Sequence, residues 1–468
     1  MRPRVLTRSW WPALAASLAL GLGAVGLTAA APAAPAAAAA TTSAAADPEI
    51  PFERYKLDNG LEVILSHDPS VPLVAIDVWY HVGSGHEVPG KSGFAHLFEH
   101  MLFQGSKHVG TDKHFDFLKS AGASEVNGTT NTDRTNYYEV VPSHQLELAL
   151  WLESDRMAHL LPLLTQASLD NQIDTVRNER AQRYDGVAYG ATRFAISHAL
   201  YPVGHPYRDL TIGRHEDLEA ASLADVVGFY KTWYVPANAT LAIVGDFDPT
   251  TIRATVAKWF GTMPTSVKPT TVTVPPPAAK ATRVELTDEF AKLRRLDFVA
   301  LSPAMMAAGD AELDMLADVL TREGTGRLYR ILVHERQLAQ SVVAYQWGKQ
   351  FSGEFTISVT LSGGAGLAAV EPNRARRGRQ AARRGAQRAR ARPRVVAIEG
   401  QLDPQPRGLM ARAEQLRPTT ATWAIPAASA RPRPLPQRDR REHPRRRRDH
   451  LPRSGPPRGR GHLAQGGL

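Results

Sequence analysis

His96-Leu97-Phe98-Glu99-His100 places two imidazoles four residues apart, with a carboxylate directly before the second. If Phe94 to Gln104 is helical, His96 and His100 stand one above the other, at the spacing that lets two imidazoles share a metal ion. Glu99 follows His96 by three residues, so its carboxylate projects beside the same ion. Two ligands and a base in this inverted H-x-x-E-H order are the parts of a zinc hydrolase. The competing reading is a chance spacing of surface histidines, of which the 468 residues hold sixteen in all. There is no cysteine, which excludes disulfides and thiolate sites and leaves histidine and carboxylate as zinc ligands.

Such a helix needs elements that position it. Phe52 to Leu65 reads as a hairpin about Asp58-Asn59-Gly60, and Val74 to Val82 as a strand. The glycine-rich stretch Gly83 to Gly93 then delivers the chain to the motif. His114 to Ser120, Gln145 to Leu160, Ser168 to Arg183 and Leu223 to Trp233 read as helices, Asn136 to Val141 and Ala239 to Val244 as strands. Pro264 to Pro277, alternating Thr, Val and Pro, marks a domain boundary. Beyond it Thr282 to Glu289, Arg295 to Leu301, Ala311 to Leu320, Gly324 to Glu335, Gln340 to Tyr345 and Gly353 to Leu361 begin a second series of strands and helices. The expected class is α+β, with two similar domains, each a mainly antiparallel sheet packed with helices.

Arg2, Arg4 and Arg8 precede the apolar run Pro12 to Leu27 and the Ala-rich stretch 29–40, the pattern of an export signal. An uncleaved N-terminal membrane anchor is the alternative, for which the run is short; no stable membrane span is expected elsewhere. The formal charge of +10 misleads. From Asn373 onward lie 25 of the 56 basic residues and 6 of the 46 acidic ones, so the tail carries +19 and the preceding 372 residues −9. The globular part is acidic, and the basic balance is no argument for nucleic-acid binding by it.

Four separated segments resemble the pitrilysin/insulinase family of zinc metallopeptidases, which includes mitochondrial processing peptidase: Gly93 to Ser106, Asn127 to Pro142, Ala149 to Met157 and Val176 to Gln182. The resemblance covers about Phe52 to Glu371. It implies zinc, one ion per catalytic domain, held by His96, His100 and a third ligand, Glu179, with Glu99 as general base. Asp170, Asp174 and Asp185 lie nearby as rivals; on a helix Glu179 shares a face with Gln172 and Val176, whereas Asp170 and Asp174 point elsewhere. Gln172 stands where the family often has a second, supporting glutamate. Asn127 and Gly128 match the segment that holds the substrate backbone beside a sheet edge; a tight turn is the alternative for an Asn-Gly pair. The resemblance further implies a peptide or unfolded-protein substrate, and a chamber closed by an identical chain or a related partner subunit.

The implied domains are 1–46, signal peptide and Ala-rich linker; 47–265, catalytic domain; 278–372, first part of a second, non-catalytic domain; and 373–468, an Arg/Pro-rich tail. That tail lacks apolar periodicity. It reads as a disordered basic tail, as a polyanion-binding tail, or as the remainder of the second domain in a shifted reading frame. The last is preferred, because shifted GC-rich alanine codons yield Arg and Pro without Lys. Within it Val395 to Leu416 still reads as an in-frame helix. The function expected is an exported, secreted or extracytoplasmic zinc endopeptidase, with an inert peptide-binding partner subunit or a truncated relic as alternatives.

Overall fold

Six strands, of which the central ones are buried on both faces, form the sheet that carries the site. The computed structural model describes residues 50–370, apart from 271–273, 276, 279–280 and 368, and residues 408–416. The segments read as signal peptide and Ala-rich linker, and most of the tail, lie outside these. The strands are β1 (Glu53–Lys56), β2 (Glu62–His67), β3 (Leu73–Tyr80), β4 (Glu125–Thr130), β5 (Thr135–Pro142) and β6 (Ala239–Gly245). They lie in the order β1-β2-β6-β3-β5-β4. The β2–β6 pair is parallel and the others antiparallel.

The helices of this part are α1 (Phe94–Met101), α2 (His114–Ser120), α3 (Leu146–His159), α4 (Gln166–Arg180), α5 (Gly190–Leu200), α6 (His215–Glu219), α7 (Leu223–Trp233) and α8 (Ile252–Phe260). Side chains alternate across a strand, so Val63, Leu65, Ile76, Val78, Leu241 and Ile243 share one core with Phe94, Phe98, Leu150, Tyr230 and Val256 of the helices. Each such aliphatic or aromatic side chain, fully buried, stabilises the fold by about 1.5–3 kcal/mol.

A second, smaller sheet, β7 (Arg295–Ser302), β8 (Ala339–Trp347) and β9 (Gly353–Leu361), runs antiparallel in the order β7-β9-β8. Helix α9 (Asp310–Thr321) packs on β8, and the single turn α10 (Arg327–Tyr329) widens into a π-helical turn over Arg330–Glu335. Ile331, Leu332, Val342, Ile357, Val359 and Leu361 form its core.

Helix α11 (Leu409–Gln415) returns to the first sheet. Met410, Ala413 and Leu416 cover Ile64, Ala75, Val140, Ala242 and Val244 on the face opposite the other helices, and Arg412 pairs with Asp68. Covering both faces explains why β6 is buried at every position and reads as a nearly continuous apolar run, broken only by Thr240.

The α+β class matches the expectation, with three differences. Thr282 to Glu289 forms no strand. In the first sheet β2 is satisfied by β1 on one side and β6 on the other, and residues 282–289 have no such neighbours among the described residues. Asn127 and Gly128 are not a tight turn; they lie within β4, opposite Tyr138 and Tyr137. The motif helix ends at Met101, not Gln104. Among the described residues no helix is long and apolar enough to cross a membrane.

Candidate metal centre

Helix α1 has no side-chain cap of its own, because its N-cap is Gly93 at φ 93°. The carboxylate of Glu87 serves instead, accepting from the Gly93 N–H at 2.9 Å and the Ala95 N–H at 2.8 Å. Two of the four orphan donors of the helix start are thereby satisfied. Burial pushes the Glu87 carboxyl up to about 8. Gly93 also permits close passage, since a Cβ there would lie 2.9 Å from the Gly213 Cα. Phe94, Leu97, Phe98 and Met101 turn into the core, and the Phe98 carbonyl accepts from the Tyr137 hydroxyl at 3.0 Å. The remaining face carries His96, Glu99 and His100.

Helix α4 starts at a reciprocal cap between Thr165 and Ser168. Its buried side, Leu169, Gln172, Ile173 and Val176, lays the helix over α1 and brings Glu179 to the histidines. Asp170 and Asp174 face solvent, and Asp185 pairs with Arg180 and His215. After Arg180 the chain widens into a π-helical turn, Ala181–Asp185, a feature frequent at functional sites. From that turn Arg183 reaches Glu179 Oε1 at 2.8 Å.

Glu179 Oε2 lies 3.6 Å from His96 Nε2 and 3.3 Å from His100 Nε2. One donor atom from each residue falls within 4.8 Å of the others. The two rings are edge to face, with centroids 4.8 Å apart. Burial, reinforced by His100, lowers His96 to about 4, so its imidazole is held neutral, the form that binds metals. The hydrogen bond from His100 is the main cause that keeps the Glu179 carboxyl below its ordinary value. Two imidazole nitrogens and one carboxylate oxygen, with no thiol, fit a zinc ion with an open fourth position.

Glu99 Oε2 accepts from the Thr130 hydroxyl at 2.6 Å, while burial raises its carboxyl above the usual range. Thr130 and Gly128 belong to β4, the strand at the sheet edge. A Cβ on Gly128 would stand 3.0 Å from Glu99 Cγ and from the Phe103 ring. Gly128→Ala is therefore expected to lower kcat/KM about tenfold, the low end of what forced overpacking costs, with metal content unchanged; parallel rate and metal measurements check it. Asn127 is exposed, its Oδ1 accepting from the Gly128 N–H at 2.9 Å. Gln172 is buried but makes no hydrogen bond to His96, His100 or Glu179.

Sequence reasoning passed over Thr130, Arg183 and Glu87. For Thr130 a signal existed, because period two puts it on the same side of β4 as Gly128. Arg183 depends on the widened turn, and Glu87 on a loop, neither of which has a periodicity to read.

A helix bearing H-x-x-E-H, crossed by a later helix that offers a carboxylate, on an α+β scaffold, is the design of an inverted-motif zinc peptidase. Residues 62–187 match the family described as Insulinase (Peptidase family M16), and residues 220–371 the Peptidase M16 inactive domain. The chain belongs to the M16 family, the pitrilysin/insulinase peptidases. It is 28% identical over 315 residues to the zinc protease PqqE of Helicobacter pylori, across 65% of this chain and 68% of that one. The crystal structure of a protease from Helicobacter pylori superposes with a TM-score of 0.67 at 23% identity, over 75% of this chain and 85% of that one. The first half of the periplasmic protease PqqL from Escherichia coli gives 0.55 at 21% identity, over 66% and 68% of the two chains.

Proposed function

We propose that this chain is an exported zinc metalloendopeptidase that hydrolyses peptides or unfolded protein segments. The convergence of His96, His100 and Glu179 beside a partly buried Glu99 carries the reading. His96, His100 and Glu179 would hold one zinc ion, which when bound supplies Lewis acidity toward a peptide carbonyl and acidifies a water. Glu99 takes the proton of the attacking water as the C–O bond forms. It then delivers that proton to the amine nitrogen as the C–N bond breaks. Arg183 holds Oε1 of Glu179, leaving Oε2 turned to the histidines.

The substrate is read as an extended chain lying along β4. Among the described residues that strand pairs with β5 alone, so its outer edge, at Asn127 and Gly128, is where a substrate strand would be added. Main-chain pairing of this kind reads backbone more than side chains, which suits broad specificity. In this reading residues 47–265 are the catalytic domain, 278–372 begin the non-catalytic one, and a second chain, identical or related, closes the chamber. Export is supported by the periplasmic description of PqqL. The docking of α11 supports reading 395–416 as in-frame sequence within the tail.

A second reading, an inert partner subunit or truncated relic, draws on the smaller sheet, with three strands against six. Metal content and cleavage of an unstructured quenched-fluorescence peptide decide between them. Bound zinc that is lost with His96→Ala/His100→Ala, together with chelator-sensitive cleavage, fits the peptidase. Zinc near zero sinks it.

Thr130→Val provides a pH test. The Thr130 hydrogen bond favours the Glu99 carboxylate and lowers its pKa, so its loss raises that pKa. The acidic limb of kcat/KM, where Glu99 must be unprotonated, is expected to move to higher pH. A limb that stays put or moves down would remove Glu99 from the role of base.

A further inference from the structure

Asp155 and His159 stand four residues apart on α3, and so share one face by the same helical arithmetic as His96 and His100. The loop after α1 brings His108 onto that face. The Lys107 N–H ties it to α3 by donating to the His159 carbonyl at 3.1 Å, and the loop is closed on itself by the Val109 and Gly110 N–H groups donating to the Ser106 carbonyl at 3.1 and 2.9 Å. The Asp155 carboxylate is only 3% exposed. Its Oδ2 accepts from the Ser106 hydroxyl and from the His108 N–H at 3.2 Å, which fixes the direction of Oδ1. That oxygen faces His108 Nδ1 at 2.5 Å. The His108 and His159 rings stand edge to face, with centroids 5.1 Å apart. One donor atom from each of the three residues lies within 4.8 Å of the others, and none of the three belongs to the site already described.

We infer that His108, Asp155 and His159 form a second, peripheral binding site for a divalent first-row transition ion. Two imidazoles and one carboxylate are the donor set of zinc, nickel or copper(II). Calcium and magnesium, which take six or more oxygens, do not suit it. The carboxylate arrives already oriented by Ser106, as metal ligands are commonly held by a second hydrogen-bonding partner. His108, with a side chain 48% exposed, gives an ion direct entry from solvent. An ion here would fasten the loop leaving the motif helix to the end of α3. The rival account is a plain His–Asp ion pair beside a neighbouring ring, which would hold no metal.

The test uses the full chain, stripped with a chelator and titrated with zinc by calorimetry, and with cobalt by its visible absorption. Two equivalents are expected to bind. His108→Gln combined with His159→Gln is expected to lose one of them, and a His96→Ala/His100→Ala chain to keep one and still show a zinc-dependent rise in Tm. Equal stoichiometry with and without the two glutamine substitutions overturns the inference, as does an absent Tm response in the His96→Ala/His100→Ala chain. Circular dichroism checks the fold. His108→Gln alone, at an exposed side chain, repeats the comparison should the double variant lose helix.

Discussion

Glu99→Gln is expected to lower kcat for peptide cleavage by about 10²–10⁴-fold, the contribution of a positioned general base, while the chain stays folded and retains its zinc. The amide is isosteric and keeps an oxygen for the Thr130 hydroxyl, which bonds Glu99 at 2.6 Å in the native site. It cannot take a proton from water. Burial of Glu99 makes the native carboxylate a stronger base than an exposed one, which widens the gap to the variant. Rate and metal content measured on one preparation separate the outcomes. Loss of zinc together with rate would make Glu99 a ligand, and an unchanged rate would leave the inert-subunit reading.

The largest effect on stability is expected at Arg156. Its guanidinium is 1% exposed and engages both oxygens of Glu153, itself 1% exposed. Glu139, whose carboxyl burial raises well above its ordinary value, lies beside them. The guanidinium also stacks on the rings of Tyr137 and Phe103, 4.3 and 5.1 Å from their centroids. Arg156→Met removes the cation and leaves the Glu153 charge buried without its partner, a change that costs about 3–5 kcal/mol. Chemical denaturation should show that loss, and adding Glu153→Leu should recover part of it, because a matched apolar pair replaces a broken ionic one. A loss below about 1 kcal/mol would mean that water or another donor satisfies Glu153. Because the Tyr137 hydroxyl supports the Phe98 carbonyl of α1, the same substitution is expected to loosen metal binding.

The motif helix, the strand after the hairpin and helices α2 and α7 were legible because their apolar residues repeat at 3.6 or 2.0 over several turns or pairs. His96 and His100 were put on one face by their spacing alone, whereas Glu179 came from the family resemblance, its face shared with Gln172 and Val176 setting it apart from Asp170 and Asp174. Helices α5, α6 and α8 escaped, the first opening on a Gly-Ala pair and the second spanning only five residues. Residues 282–289 show the converse limit. Their sequence alternates like a strand, but a strand is defined by its neighbours, and period alone cannot supply them. The His108–Asp155–His159 cluster was hidden because its first member lies in a loop, with no spacing rule tying it to α3.

Helix α11 has a consequence for synthesis on the ribosome. The strands of the first sheet are complete once Gly245 has emerged, yet the side chains that shield Ile64, Ala75, Val140, Ala242 and Val244 arrive 171 residues later, at Leu416. At ordinary elongation rates of about 5–20 residues per second, that face stays bare for roughly 10–35 s. A nascent chain in this interval presents an apolar sheet surface to its neighbours and to chaperones, and arrest anywhere before residue 409 makes the interval permanent.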